Sequence, residues 1–325
     1  MMTVLLAASC SAGGSEDSDD DSRDDRPASN VTTAPAGPSA LPSARTEVAG
    51  AVWQGRIVVA GGLTEAGVAS DRVDLYDPLT NRWDPGPPLP IGLHHVGLAA
   101  VGDRVYLAGG HHNPAPAAAW EPQSRVLSLG PGERSWREEP PLAQARGGLA
   151  LAAVGDRLVA MGGTTAAGDV LRTTEVLAAG AAGGAWRPGP DLTEPRDHLA
   201  AASSGGRVYA IAGRQGSLES NLATVESWDG VSEGWQPEPP LNDTRGGMSA
   251  AEVSGRPCVA GGEEPRGTIA SVECLVDGRW DRVATLEVPR HGLAVVGFVD
   301  GLHVIGGGPQ PGLFVSTAHE VVPIA

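Results

Sequence analysis

The sequence contains no lysine; all 23 of its basic residues are arginine, a skew that base composition alone accounts for. Aromatic side chains make up only 4% of the chain, with two phenylalanines and three tyrosines, and there are three cysteines. Positive charge is short as well, with a formal net charge of −16. That deficit excludes the phosphate backbone of a nucleic acid as the main partner, because such binding rests on an excess of basic side chains. The apolar run that opens the chain, MMTVLLAASC, is far too short to span a bilayer. No nucleophile motif, phosphate-binding loop or helical metal motif occurs. What the chain has in quantity is glycine (46) and proline (27), beside 41% hydrophobic residues. This combination describes a folded, turn-rich protein.

The first ten residues end in Ala-Ser-Cys and resemble the tail of a bacterial lipoprotein signal, which implies lipidation at Cys10. Residues 11–28 follow as an acidic linker. The stretch SAGGSEDSDDDSRDDRP carries seven acidic and two basic residues and is expected to stay solvated. It lacks the spaced glycine and final glutamate of an EF-hand loop. The remainder keeps 32 acidic against 21 basic residues, so the folded part is acidic too.

Residues 29–325 are one module repeated six times. Each copy has an apolar run, a two-residue turn, a second apolar run and a double glycine. The first glycine position is Gly61, Gly109, Gly162, Ala212, Gly261 and Gly306. Sixteen residues before each stands Arg45, Leu93, Arg146, Arg196, Arg245 and Arg290. The turns between the two runs include Gly102-Asp103, Gly155-Asp156 and Asp300-Gly301, dipeptides of tight hairpins. Downstream lie a third strand pattern and then a tryptophan: Trp83, Trp136, Trp186, Trp235 or Trp280. Small residues mark the first run, where Gly97 and Ala99 or Ala150 and Ala152 leave no room for a leucine. Four antiparallel strands per unit, apolar on both faces, bury themselves by stacking radially.

Double glycine after a hydrophobic strand, then a tryptophan, at a period of about 50 residues, resembles the kelch repeat. The resemblance implies an all-β, six-bladed kelch-type β-propeller with four antiparallel strands per blade. The last unit lacks a tryptophan strand. Residues 30–34 are therefore expected to close the last blade as an N-terminal strand, which would remove the free edges.

Strand direction sends the double-glycine loops and the arginine loops to one face, and variable loops on a rigid scaffold are the usual recognition surface. His94, His95, His111, His112, His198 and His291 all fall there, with Asp197 beside His198. The histidines read as polar loop residues, with zinc or copper ligation as the alternative; no cofactor and no metal are assigned. Arg45, Arg146, Arg196, Arg245 and Arg290 are ligand-site candidates for a carboxylate, against a role bracing the blades. Glu252 is a further candidate, because it stands where the other inner strands carry small or apolar residues. Cys258 and Cys274 lie on neighbouring strands of the fifth unit, placed for a disulfide or as two buried thiols.

Propellers of this kind usually bind, which implies a non-enzymatic binding module for a protein or glycan ligand. The module is expected to be a monomer outside the cytoplasm, touching the membrane through its lipid anchor alone. The resemblance also implies two enzymatic alternatives, a sialic-acid mutarotase type and a copper radical oxidase type. The oxidase needs tyrosines beside its copper histidines, and Tyr76, Tyr106 and Tyr209 all fall within strand patterns.

Overall fold

The computed structural model describes residues 37–180 and 184–324. These form six β-sheets around a common axis, each beginning with a five-residue inner strand that runs into a tight turn. Blade 1 comprises Ala49–Trp53, Arg56–Ala60, Val73–Asp77 and Arg82–Pro85. Blade 2 comprises Gly97–Val101, Arg104–Ala108, Val126–Leu129 and Arg137–Glu139. Blade 3 comprises Ala150–Val154, Arg157–Met161, Thr174–Ala178 and Arg187–Pro188. Blade 4 comprises Ala200–Ser204, Arg207–Ile211, Val225–Trp228 and Gln236–Glu238. Blade 5 comprises Ser249–Val253, Arg256–Ala260, Ser271–Val276 and Arg279–Thr285. Blade 6 has three strands among the described residues: Ala294–Phe298, Gly301–Ile305 and His319–Val322. All pairings within blades are antiparallel and sequential. The inner strands contact one another in order around the ring, and blade 1 meets blade 6.

The core follows from this geometry. Six apolar clusters form, one at each junction between neighbouring blades. Small residues are required where inner strands converge: a Cβ on Gly97 would lie 2.4 Å from the Leu151 Cβ. The tryptophans fasten the junctions from outside. Trp136, Trp186, Trp235 and Trp280 each donate their indole N–H to a proline carbonyl of the preceding blade, at 2.9 Å.

The double glycines have a conformational cause. Gly61 and Gly62 have φ of 67° and 100°, and the same left-handed backbone recurs in all six blades, including Ala212 at 49°. A Cβ on Gly162 would sit 2.3 Å from the Arg196 carbonyl oxygen of the next blade. The following N–H then donates to that same carbonyl, as Gly163 does to Arg196 at 3.0 Å. The second strand therefore ends in a backbone clasp between blades that only a residue tolerating positive φ completes.

The arginines prove to be internal braces, which corrects their candidacy as ligand residues. Arg45, Arg146, Arg196, Arg245 and Arg290 are at most 1% exposed. Arg146 Nη1 donates to the Gly162 and Thr173 carbonyls at 3.0 and 2.9 Å, and Nη2 to Glu175 Oε1 at 2.8 Å. Asp74, Glu226, Glu273 and Glu320 play the part of Glu175 for the other four arginines. A guanidinium buried in this way joins three strand segments and presents no surface to a ligand.

The expected closing strand, 30–34, lies outside the described residues, as does Cys10. The adjoining stretch nevertheless sits on blade 6. Leu41 N–H donates to the Thr317 carbonyl at 2.9 Å, as Leu142 and Leu192 do within their own blades. Trp83 donates to the Ser39 carbonyl at 3.0 Å, so residues before Arg45 supply the sixth blade's part of the last junction. Cys258 and Cys274 are directly paired across the second and third strands of blade 5 and joined by a disulfide.

Candidate functional site

The repeat builds concentric circles of residues at the axial mouth. The innermost comes two residues after each arginine position: Glu47, His95, Gly148, His198, Gly247 and Gly292. All six have left-handed backbone, with φ between 48° and 66°. Their main chains are linked blade to blade. His95 N–H donates to the Glu47 carbonyl, Gly148 to His95, His198 to Gly148, Gly247 to His198 and Gly292 to Gly247, at 2.7 to 3.2 Å. Val48 N–H donates to the Gly292 carbonyl at 3.2 Å and closes the circle. This belt fixes the six Cα positions around the channel neck. It also explains the glycines, which adopt positive φ without steric cost. Glu47, His95 and His198 adopt it with a side chain, in a region that is costly for most residues.

Those three side chains converge. Their ligand-type atoms lie within 4.8 Å of one another. His95 Nε2 is 3.2 Å from Glu47 Oε2, and the His95 and His198 rings are 4.7 Å apart, edge to face. His198 Nδ1 is hydrogen-bonded to the Asp197 carboxylate, leaving Nε2 as its free ring nitrogen.

A second circle surrounds the first. His291 Nδ1 lies 3.3 Å from Glu47 Oε1 and 3.6 Å from Glu263 Oε2. Arg214 ties two carboxylates together, with Nη1 on Glu263 Oε1 at 2.8 Å and Nε 3.4 Å from Asp197 Oδ1. His94 Nδ1 contacts His95 Nδ1, and the His111 ring lies 5.5 Å from that of His94. Gly147 makes space for His111, since a Cβ there would fall 2.2 Å from its Nε2. Trp120, carried on the loop after the His111–His112 strand, leans over His94, His95 and His111 with ring separations of 4.6, 5.1 and 5.5 Å. It remains 48% exposed.

The electrostatics favour an ionised Glu47 carboxylate beside neutral His94, His95 and His111 imidazoles. Burial works to raise the Glu47 carboxyl, but His95, His291 and His198 carry it well below its ordinary value. Burial pushes His95 well below the usual imidazole range despite the neighbouring Glu47. It also takes His94 down to about 3 and His111 to about 4. His291 goes the other way: burial lowers it, and Glu47 and Glu263 more than offset that.

Above these groups opens a cavity of about 420 Å³, lined by Glu47, His95, Trp120, His198, Arg214 and Glu263 among others, with Leu313 on its rim. Its floor is charged and hydrogen-bonding and its walls are largely apolar.

Of the residues proposed from sequence, His94, His95, His111, Asp197, His198 and His291 are brought together here. His112 points away and bonds the Gly92 carbonyl through Nδ1 at 2.8 Å. Glu252 is also separate. It lies at the far end of its inner strand, next to the Ser254-Gly255 turn, where its carboxylate takes the Gly255 N–H. Glu47, Trp120, Arg214 and Glu263 are site residues that sequence reading missed. Aligning the six repeats column by column finds three of them. Glu47 shares a column with His95 and His198, and Glu263 shares one with His111 and Arg214.

The architecture and this mouth define a six-bladed β-propeller with a polar axial site. The chain is a kelch-repeat protein. The family profile described as Kelch motif matches residues 44–90 and 195–242. Human Kelch-like protein 34 is 37% identical over 102 residues, covering 30% of this chain and 15% of the relative. Human Kelch-like protein 25 is 29% identical over 135 residues, covering 40% and 23%. The chain thus spans less than a quarter of the length of these curated relatives. A solved structure titled "Structure of YjhT" superposes with a TM-score of 0.75 at 14% identity, over 88% of this chain and 96% of that one.

Proposed function

We propose that this propeller is a binding module whose axial mouth takes a glycan, held outside the cytoplasm as a monomer and anchored through Cys10. The observation that carries the reading is the cavity itself. An exposed indole, Trp120, stands over a floor of Glu47, His198, Arg214 and Glu263. Sugars present an apolar C–H face and a rim of hydroxyls. An aromatic wall with convergent polar groups matches both, and concave sites with a few placed polar groups are the usual form of small-ligand pockets. The disulfide between Cys258 and Cys274 supports an oxidising compartment.

A second reading, a sugar-ring mutarotase, draws on one contact. The ionised Glu47 carboxylate lies 3.2 Å from the neutral His95 imidazole, facing the same cavity. Such a pair offers general base and general acid to a bound sugar. The test for both is a screen of the intact domain against sialylated and neutral glycans, with acidic peptides in parallel. Anomer interconversion of each bound sugar is then followed by NMR. Glycan binding that is lost in His198→Gly supports the module, and accelerated interconversion moves the assignment to the enzyme. Binding of peptides alone contradicts both.

A further inference from the structure

The innermost circle carries more than a ligand floor. In three blades the position two after the arginine is glycine. In the other three it is Glu47, His95 and His198, at φ of 54°, 54° and 48°. Left-handed backbone is costly for a residue with a Cβ, and such outliers cluster where a function retains them. The three that accept this cost are a carboxylate and two imidazoles, and they are the three whose ligand-type atoms converge.

From this we infer that Glu47, His95 and His198 form a binding site for a divalent transition-metal ion of the zinc type. Two imidazole nitrogens and one carboxylate oxygen are a standard donor set for such an ion when a coordination position is left for an outside ligand. The 3.2 Å between His95 Nε2 and Glu47 Oε2 is close to the edge of a coordination tetrahedron with bonds of about 2.0–2.1 Å, which is about 3.3 Å. Asp197 accepts from His198 Nδ1, the carboxylate–histidine arrangement that orients a metal-binding imidazole. The open side faces the cavity under Trp120.

A second observation is independent of these distances. Glu263 Oε2, in a residue that lines the same cavity, is a buried polar atom with no hydrogen-bond partner among the described residues. Buried groups of this kind are rare and call for a partner of another kind. A metal ion with its bound waters at the centre of the mouth supplies one. The charge balance agrees, since Glu47, Asp197 and Glu263 surround the mouth with Arg214 as the one arginine bridging between them.

The site shares Glu47 and His198 with the glycan floor but requires no glycan, so the test measures metal alone. The full chain, stripped with a chelator, is titrated with Zn²⁺ by calorimetry and with Co²⁺ by visible absorption. One equivalent should bind, and Co²⁺ should show d–d bands of nitrogen and oxygen ligation. Glu47→Gly, His95→Gly and His198→Gly each install the residue that other blades use, so they should fold. Each should weaken binding about 100-fold or more, beyond the 10–100-fold typical of a supporting residue. His95→Asn, a residue that also tolerates positive φ, gives a second variant at that position, and His112→Ala should bind as the parent does. Failure of the parent to bind, or binding unchanged in the glycine variants, overturns the site.

Discussion

Arg146 and Glu175 form a buried ion pair at 2.8 Å in blade 3, and at the same two positions of blade 2 stand Leu93 and Leu127, packed in one apolar cluster. Four other blades keep a carboxylate beside the arginine, and the blade that lost the arginine lost the acid with it. Burying two charges costs several kcal/mol per ion before their attraction offsets it, while a lone survivor is left uncompensated. Arg146→Leu should therefore destabilise the protein by about 3–5 kcal/mol. Adding Glu175→Leu should recover part of that loss. Equilibrium denaturation of both singles and the double gives the coupling, and simple additivity would contradict this account.

Acid should weaken the fold before its ordinary carboxylates titrate. Burial brings His94 to about 3 and His111 and His319 to about 4. In the unfolded chain each returns to about 6.5. Between pH 6.5 and 4 the unfolded state thus binds protons that the native state refuses, so stability rises with pH through this window and levels off above it. Each histidine contributes a slope of up to about 1.4 kcal/mol per pH unit. Urea unfolding at pH 7.5, 6 and 5 should give falling midpoints, and a flat profile would show that these imidazoles are protonated in the native state.

The Cys258–Cys274 bridge spans 16 residues, a loop whose closure is worth about 3 kcal/mol. Reduction, or replacement of both cysteines by alanine, should lower the melting temperature by about 6–12 °C, taking 2–4 °C per kcal/mol for a domain of this size. Calorimetric scans with and without reductant measure it.

Trp120 is half exposed and meets the mouth through the rings of His94, His95 and His111. Trp120→Ala should leave the melting temperature nearly unchanged and weaken glycan binding about 2- to 13-fold, as loss of about 0.5–1.5 kcal/mol of aromatic contact requires. Titration of any glycan recovered from the screen checks this.

Much of the fold was legible because a repeat states each instruction six times. The double glycines marked the end of each second strand, the tryptophans the last strand of each unit, and the small residues of the first runs the crowding at the axis. The arginines were legible as a column but not as to which way they point. Their partners, Asp74 and Glu175 among them, lie 29 residues downstream, and only the register of the third strand brings them opposite. The site was half legible. Histidines stand out in a sequence so poor in rings, whereas Glu47 and Glu263 are two of 39 acidic residues and gain meaning only from their columns. Trp120 sits in a loop that no repeat position describes, and its place over the histidines is set by the path of that loop.

Glu47, His95 and His198 hold a left-handed backbone for the sake of the mouth and not for the fold. Unfolding free energies of Glu47→Gly, His95→Gly and His198→Gly test it most directly. Each variant removes a strain of about 1 kcal/mol, so each should equal the parent in stability or exceed it, to within about 1 kcal/mol for the hydrogen bonds and ring packing that the side chain made. A loss of about 3 kcal/mol or more in each, the cost of a truncated core residue, would make these side chains part of the fold's own packing and contradict the account.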